Sequence, residues 1–123
     1  MKAEIRDQAG NNIGYVDENE IKDKLYETIG ILTDEEIKDK YFDTLGYIKD
    51  NQILNKEFKI VGNIDENIIG DSNYDPLCYF FEEEVKDLFF NTLGYYDKGL
   101  KRDLKVAVAI LVFKVIDLYQ KSA

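Results

Sequence analysis

Apolar and polar residues alternate in short bursts along most of this chain, and the bursts return every sixteen residues. The clearest copy is 36–51, EIKDKYFDTLGYIKDN. Ile5, Ile21, Ile37, Ile53, Ile69 and Val85 stand in one register; Gly14, Gly30, Gly46, Gly62, Cys78 and Gly94 stand in a second. Asp7, Asp23, Asp39, Asn55, Asp71 and Asp87 hold a third, and the residue before each glycine position is apolar throughout: Ile13, Ile29, Leu45, Val61, Leu77 and Leu93. Six units therefore tile residues 4–99 without a gap, and a tail of different character covers 100–123. A short fixed period marks a repeat architecture, in which each unit buries its apolar face only against its neighbours.

Each unit reads as a β-hairpin. EIKD is a brief strand, DKYFDT a polar turn carrying an aromatic, TLGYI a second strand, and KDN a closing turn. A helix does not fit, because glycine in mid-segment and polar punctuation leave no room for three helical turns. Leu45, Tyr47 and Ile48 put apolar side chains on both sides of the second strand, so both of its faces are expected to be covered. The glycine between them lets another backbone or a ring approach closely.

The predicted fold is all-β: one domain, 1–123, in which six hairpins form a closed pseudo-symmetric array. Closure removes the sheet edges that short hairpins would otherwise expose. An open β-solenoid is the alternative. Unit one replaces the turn aromatic with an Ala9-Gly10-Asn11 stretch, whereas later units place Tyr26, Phe42, Phe58, Tyr74 and Phe90 there. Unit five departs most, with Pro76 for threonine and Cys78 for glycine; proline removes a ladder donor, so this hairpin is expected at an edge or beside the tail.

In the tail, Leu104, Val108, Leu111, Val115 and Leu118 lie at alternating four and three spacing, which lays an apolar stripe along a helix. Val106, Ile110 and Phe113 widen that stripe almost to a cylinder. The tail is expected to be a buried helix that plugs or caps the array, with strands over 105–116 as the alternative. The uninterrupted apolar run 106–113 is too short to span a bilayer core of ~30 Å, so no membrane span is expected. Its apolar surface, 104–119, is also a possible homo-oligomer contact.

Composition adds limits. The chain has 123 residues and a net charge of −9, from 25 acidic and 16 basic side chains, which disfavours nucleic acid and anionic lipid as partners. Nine tyrosines and seven phenylalanines, with no tryptophan, suit strands. The single Cys78 cannot form an internal disulfide and reads as a small buried residue. The absence of histidine removes the commonest general base and transition-metal ligand. The opening MKAEIRDQ enters the first repeat at once, so the chain as written is expected in the cytoplasm, or exported if a signal has been removed.

Candidate chemistry is sparse. The recurring Asp7 series suits turn capping better than an acid/base or metal site, since its side chains can accept backbone N–H groups a little further on. The acidic patches between units match no calcium loop. No phosphate loop, nucleophile motif or paired cysteine motif occurs, so no catalytic residue, metal or cofactor is assigned and the chain is not expected to be an enzyme. Tyr15, Tyr47, Tyr79 and Tyr95 are the candidate partner contacts, each pairing an apolar ring with a polar tip. Their position after the glycine also suits stacking on a neighbouring unit.

The segments ETIGILTDEEIKD and DTLGYIKDNQI resemble the repeat of the five-fold β-flower family, Ile-x-Asp-x-x-Tyr-x-Thr-Ile-Gly-Tyr-Ile followed by a polar turn. The resemblance covers 4–99 and extends to the Gly10-Asn11 turn and to the basic, then apolar tail, Lys101-Arg102 followed by 106–113. It implies a propeller-like ring of short hairpins with no established activity. The chain departs from the pattern in lacking the Asp-Gly usual between units, in lacking an export leader, and in its altered unit five. The expected role is a non-catalytic binding or scaffolding module for a protein or polysaccharide. A structural component assembling through the tail and unit five is the alternative, and a carboxylate-dependent hydrolase a remote one.

Overall fold

The computed structural model describes residues 2–97, 101–116 and 118, and among these are twelve strands and one helix. Unit one contributes β1 (Lys2–Asp7) and β2 (Asn12–Asp17), unit two β3 (Glu20–Lys22) and β4 (Thr28–Leu32), and unit three β5 (Glu36–Asp39) and β6 (Thr44–Lys49). Unit four contributes β7 (Gln52–Asn55) and β8 (Ile60–Asp65), unit five β9 (Ile68–Gly70) and β10 (Pro76–Phe81), and unit six β11 (Glu84–Lys86) and β12 (Thr92–Tyr96). Each strand pairs antiparallel with the next, and β1 pairs with β12 to close a barrel. Closure excludes the solenoid, and it leaves the hairpin of unit five no sheet edge to occupy. Pro76 is accommodated instead as the first residue of β10, beside a break in the β9 register.

The register explains the two strictest sequence series. Ile5 faces Gly14 across its hairpin, Ile21 faces Gly30, Ile37 faces Gly46, Ile53 faces Gly62, Ile69 faces Cys78 and Val85 faces Gly94. All six branched side chains are fully buried and form one ring on the inner wall. Two residues beyond each glycine position a second ring follows: Val16, Leu32, Ile48, Ile64, Phe80 and Tyr96, all buried. Each such side chain stabilises the fold by about 1.5–3 kcal/mol through removal from water.

The adjacent apolar residues of each second strand have a cause other than two covered faces. In every hairpin the register slips by one before the glycine position, so Ile13, Ile29, Leu45, Val61, Leu77 and Leu93 are each the extra residue of a β-bulge. A bulge places two residues against one on the partner and increases local twist and bend. The six bulges thus bend the sheet as it closes, and these residues pack against or within the core. Tyr47, by contrast, pairs with Glu36 and Leu54 on the outer wall.

The tail is helical over Arg102–Leu111 (α1), which removes the strand alternative. Leu104 and five consecutive residues, Val106, Ala107, Val108, Ala109 and Ile110, are buried; a helix apolar all round is one surrounded by protein. α1 occupies the lumen. Its first turn is tied to the turns between units, with the Arg102 guanidinium donating to the carbonyls of Thr33 and Asp34 and the Lys105 ammonium donating to that of Glu66. The predicted stripe runs past the helix, however. Lys114 adopts φ 53 and its N–H reaches the Ile110 carbonyl at 3.1 Å, a left-handed C-terminal turn that redirects the chain. Val115 and Leu118 therefore lie beyond α1, and Ile116 and Leu118 return to the core. Of the segment 104–119 named as an oligomer contact, most is enclosed by the barrel; 117 and 119 lie outside the described residues.

Candidate functional site

An up-and-down barrel has two ends, and here they differ in chemistry. Turns within units lie at one end. Each is built by the Asp7 series: Asp39 Oδ1 accepts the N–H groups of Tyr41 and Asp43, both at 2.9 Å, and the Phe42 N–H bonds the Asp39 carbonyl at 3.0 Å. Asp7, Asp23, Asn55, Asp71 and Asp87 make the same pair of side-chain bonds. These bonds from Asn91 and Phe89, the former the stronger, hold the Asp87 carboxyl below the ordinary range.

The turn geometry fixes a third residue in the left-handed region. Unit one meets the requirement with Gly10 at φ 86, whereas Tyr26, Phe42, Phe58, Tyr74 and Phe90 adopt φ between 63 and 69. An aromatic there costs of order 1 kcal/mol that glycine would not incur. Nine of the ten exposed large apolar side chains among the described residues stand on these turns: Leu25, Tyr26, Tyr41, Phe42, Phe58, Tyr74, Leu88, Phe89 and Phe90. Tyr41 at 73% and Phe89 at 85% exposure project almost completely. The opposite end carries the acidic turns between units, among them Asp34-Glu35 and Glu82-Glu83.

Between the ends, the outer wall of three units carries one cross-strand motif. In unit three the Lys38 ammonium donates to Thr44 Oγ1 at 3.1 Å, and that hydroxyl donates to Glu36 at 2.6 Å. Lys22, Thr28 and Glu20 repeat it in unit two, and Lys86, Thr92 and Glu84 in unit six. The threonine bond, with the lysine beside it, holds the Glu36 and Glu84 carboxyls below their usual range. Unit four has Gln52, Leu54 and Ile60 at these places, and unit five Ile68, Gly70 and Pro76.

The four candidate tyrosines lie on this outer wall, each half-buried. They do not converge, being spread over units one, three, five and six. Two of them meet the turn aromatic of the following unit: Tyr15 is edge-on to Tyr26 at 5.2 Å between centroids, and Tyr47 stacks on Phe58 at 4.5 Å and 15°. Tyr95 receives the Arg6 guanidinium at 5.6 Å. Tyr26 donates its hydroxyl to Asp17, which pushes the phenol up to about 12 and lowers the Asp17 carboxyl.

Beside the Tyr47–Phe58 pair the wall opens into a groove of about 990 Å³, with Leu54 and Ile60 among its lining and Asp34, Glu35 and Asp50 along one end. Sequence reasoning noticed the turn aromatics but selected the tyrosines. The Asp cap, which forces the residue three places on into the left-handed region, is the signal for five of the nine; Leu25, Tyr41, Leu88 and Phe89 stand before that slot and carry no such mark.

Among the described residues no group of three or more acidic or cysteine side chains is arranged to hold a metal, and no helix is long and apolar enough to cross a membrane. Cys78 is buried inside the barrel, where burial pushes its thiol up to about 12; such a thiol is unreactive at neutral pH.

Fold and surface together define a class: a closed ring of antiparallel hairpins, plugged by its own C-terminal helix, with aromatic turns at one end. A family model described as 5-fold beta-flower protein matches residues 2–114, and the chain belongs to that family. Its description names a five-fold arrangement, whereas this chain closes its ring with six hairpins. No curated protein and no solved structure matches the chain.

Proposed function

We propose that the protein is a non-catalytic module that binds a protein partner through its aromatic turns. The observation that carries this reading is the gathering of nine exposed apolar side chains on the turns of one end. Isolated exposed apolar residues are ordinary, but Leu88, Phe89 and Phe90 stand together on one turn, as Tyr41 and Phe42 do on another. Tyrosine and phenylalanine are the residue types enriched in the centres of protein interfaces. The left-handed rings of Tyr26, Phe42, Phe58 and Phe90 lie partly against their own wall, whereas Tyr41 and Phe89 project almost completely and make no ring–ring contact among the described residues. The net charge of −9 steers the module toward basic partners and away from nucleic acid. One buried thiol places no redox demand on the compartment in which it works.

The test compares the intact protein with the double variant Tyr41→Ser and Phe89→Ser. Both positions are exposed, so folding is expected to be unchanged by circular dichroism. Crosslinking-coupled capture should retain a defined protein with the native chain and lose it with the variant. Equal capture by both forms, or binding to a glycan array in place of protein, would overturn the reading.

A further inference from the structure

The outer wall of unit four breaks a pattern that units two, three and six keep. In units two, three and six a lysine ammonium lies against the ring of its own turn: Lys22 over Tyr26 at 4.6 Å, Lys38 over Phe42 at 4.3 Å, and Lys86 over Phe90 at 4.5 Å. A cation held over an aromatic face is attracted by the ring's quadrupole. In unit four the residue at the lysine position is Leu54, and the ring, Phe58, stacks on Tyr47 instead. The row across the strands there reads Tyr47, Leu54, Ile60, apolar where units two, three and six place lysine and threonine.

The groove of about 990 Å³ opens at this place. It combines an apolar floor with three carboxylates, Asp34, Glu35 and Asp50, against the single ammonium of Lys49. A ligand that fits has an apolar stem and a cationic head.

We propose that this groove takes the arginine or lysine side chain of a partner polypeptide, whose cation supplies from outside what a lysine supplies internally in units two, three and six. The methylene stem covers Leu54 and Ile60, as such stems do on apolar surface. The head lies against the outer face of the ring pair and pairs with the carboxylates; a guanidinium does both, since it stacks on rings and bonds carboxylates. A saccharide is less suited, because it leaves the three carboxylates without a counter-charge and lays hydroxyls over Leu54 and Ile60, which offer no hydrogen-bond partner. This inference rests on the protein-binding reading but uses residues distinct from Tyr41 and Phe89, so the two can fail separately.

The probe is an end-capped peptide alternating arginine and glycine, titrated into the full chain and followed by NMR. The expected result is a saturable shift of Tyr47, Leu54 and Phe58 signals. Leu54→Lys, which restores the arrangement around Lys38, should weaken binding at least about tenfold. Gln8→Lys adds the same charge on the exposed turn of unit one, which is not next to units three and four in the ring, and should change binding less than about twofold. Asp50→Asn, which tolerates the positive φ of that turn, should weaken binding and keeps the test decisive if the lysine variant does not fold. Shifts scattered over the acidic end, equal affinity in the Leu54→Lys and Asp50→Asn variants, no shift at millimolar peptide, or the same signals moved by a chito-oligosaccharide in place of the peptide would each overturn the groove assignment. Shifts confined to Tyr41 and Phe89 would overturn it while leaving the protein-binding reading intact.

Discussion

Units one to three and units four to five share a backbone and differ on both faces of it. On the inside, a methyl-sized group added at Gly14 would meet Leu111 at 2.8 Å, at Gly30 Leu118 at 3.1 Å, and at Gly46 Ile116 at 2.4 Å. The tail thus presses its knobs into the glycine positions of three consecutive units. At Gly62 nothing lies closer than 3.5 Å, and unit five already carries a side chain there, Cys78. On the outside, units two and three carry the lysine–threonine–glutamate motif and units four and five do not. Glycine is therefore required by the tail in units one to three, and in unit six by the Arg6 carbonyl, 2.6 Å from a group added at Gly94; at Gly62 it is free to change. Units four and five, whose interior is relaxed, lack the motif of units two, three and six, and so does unit one, with Arg6 and Asn12 in its places, so the inner and outer walls vary separately.

Gly46→Val is the largest test of this contrast. Its added carbons meet Ile116 and the Leu54 carbonyl at 2.4 and 2.5 Å, so urea melting should show a loss of more than about 3 kcal/mol or no folded state. Gly62→Ala should stay within about 1 kcal/mol of the parent, with a gain possible because alanine restricts the unfolded chain. Equal losses at the two glycines would end the distinction between the halves.

Ile37→Ala and Ile53→Ala probe what the halves share. Both side chains belong to the inner ring and are fully buried, so each substitution should cost about 2–5 kcal/mol by the same melting assay. A difference between them above about 2 kcal/mol would show the ring itself to be uneven. Asp39→Ala removes the acceptor of two turn N–H groups and should cost about 1–2 kcal/mol, with Asn55→Ala costing less because its acceptor is uncharged.

The smallest effect is electrostatic. Glu36 and Glu84 are held below the ordinary glutamate pKa in the folded state, chiefly by Thr44 and Thr92. Their contribution to stability is present above the unfolded pKa and is lost as pH falls through the depressed folded value. Thr44→Val should raise the NMR-measured pKa of Glu36 and leave that of Glu84 unchanged. Unit four, with Gln52 in this place, has nothing to titrate there.

The repeat period made the hairpins, their number and the turn caps legible, because Ile37, Asp39 and Gly46 each answer a local demand that recurs. What was misread depended on geometry between units. Leu45 beside Gly46 looked like a strand covered on both faces, since a bulge leaves no mark in sequence beyond one extra apolar residue. Pro76 suggested an edge because the rule for proline concerns ladder donors, and a bulge at the strand start relieves the same conflict. The stripe through Val115 and Leu118 continued on paper past Lys114, whose positive φ ends the helical path. The groove was not legible at all: Tyr47, Leu54, Asp34 and Asp50 become neighbours only when three successive strands and the turns at both ends are in place.

The seam between β1 and β12 is the one place where strands distant in sequence pair, through Ile5 with Tyr96, Arg6 with Tyr95 and Asp7 with Gly94. Asp97 reinforces it, accepting the Glu4 N–H at 2.7 Å and donating its own N–H to the Glu4 carbonyl at 3.1 Å. Every other strand pairing joins neighbours along the chain and forms at low loop-closure cost. The eleven sequential pairings can therefore assemble as an open, curling ribbon, with α1 laid into it from one side. A finished ring would admit the helix only end-on, through the turns that Arg102 and Lys105 now clasp. Ring closure, the one long-range pairing, is therefore expected to be the slow step of folding.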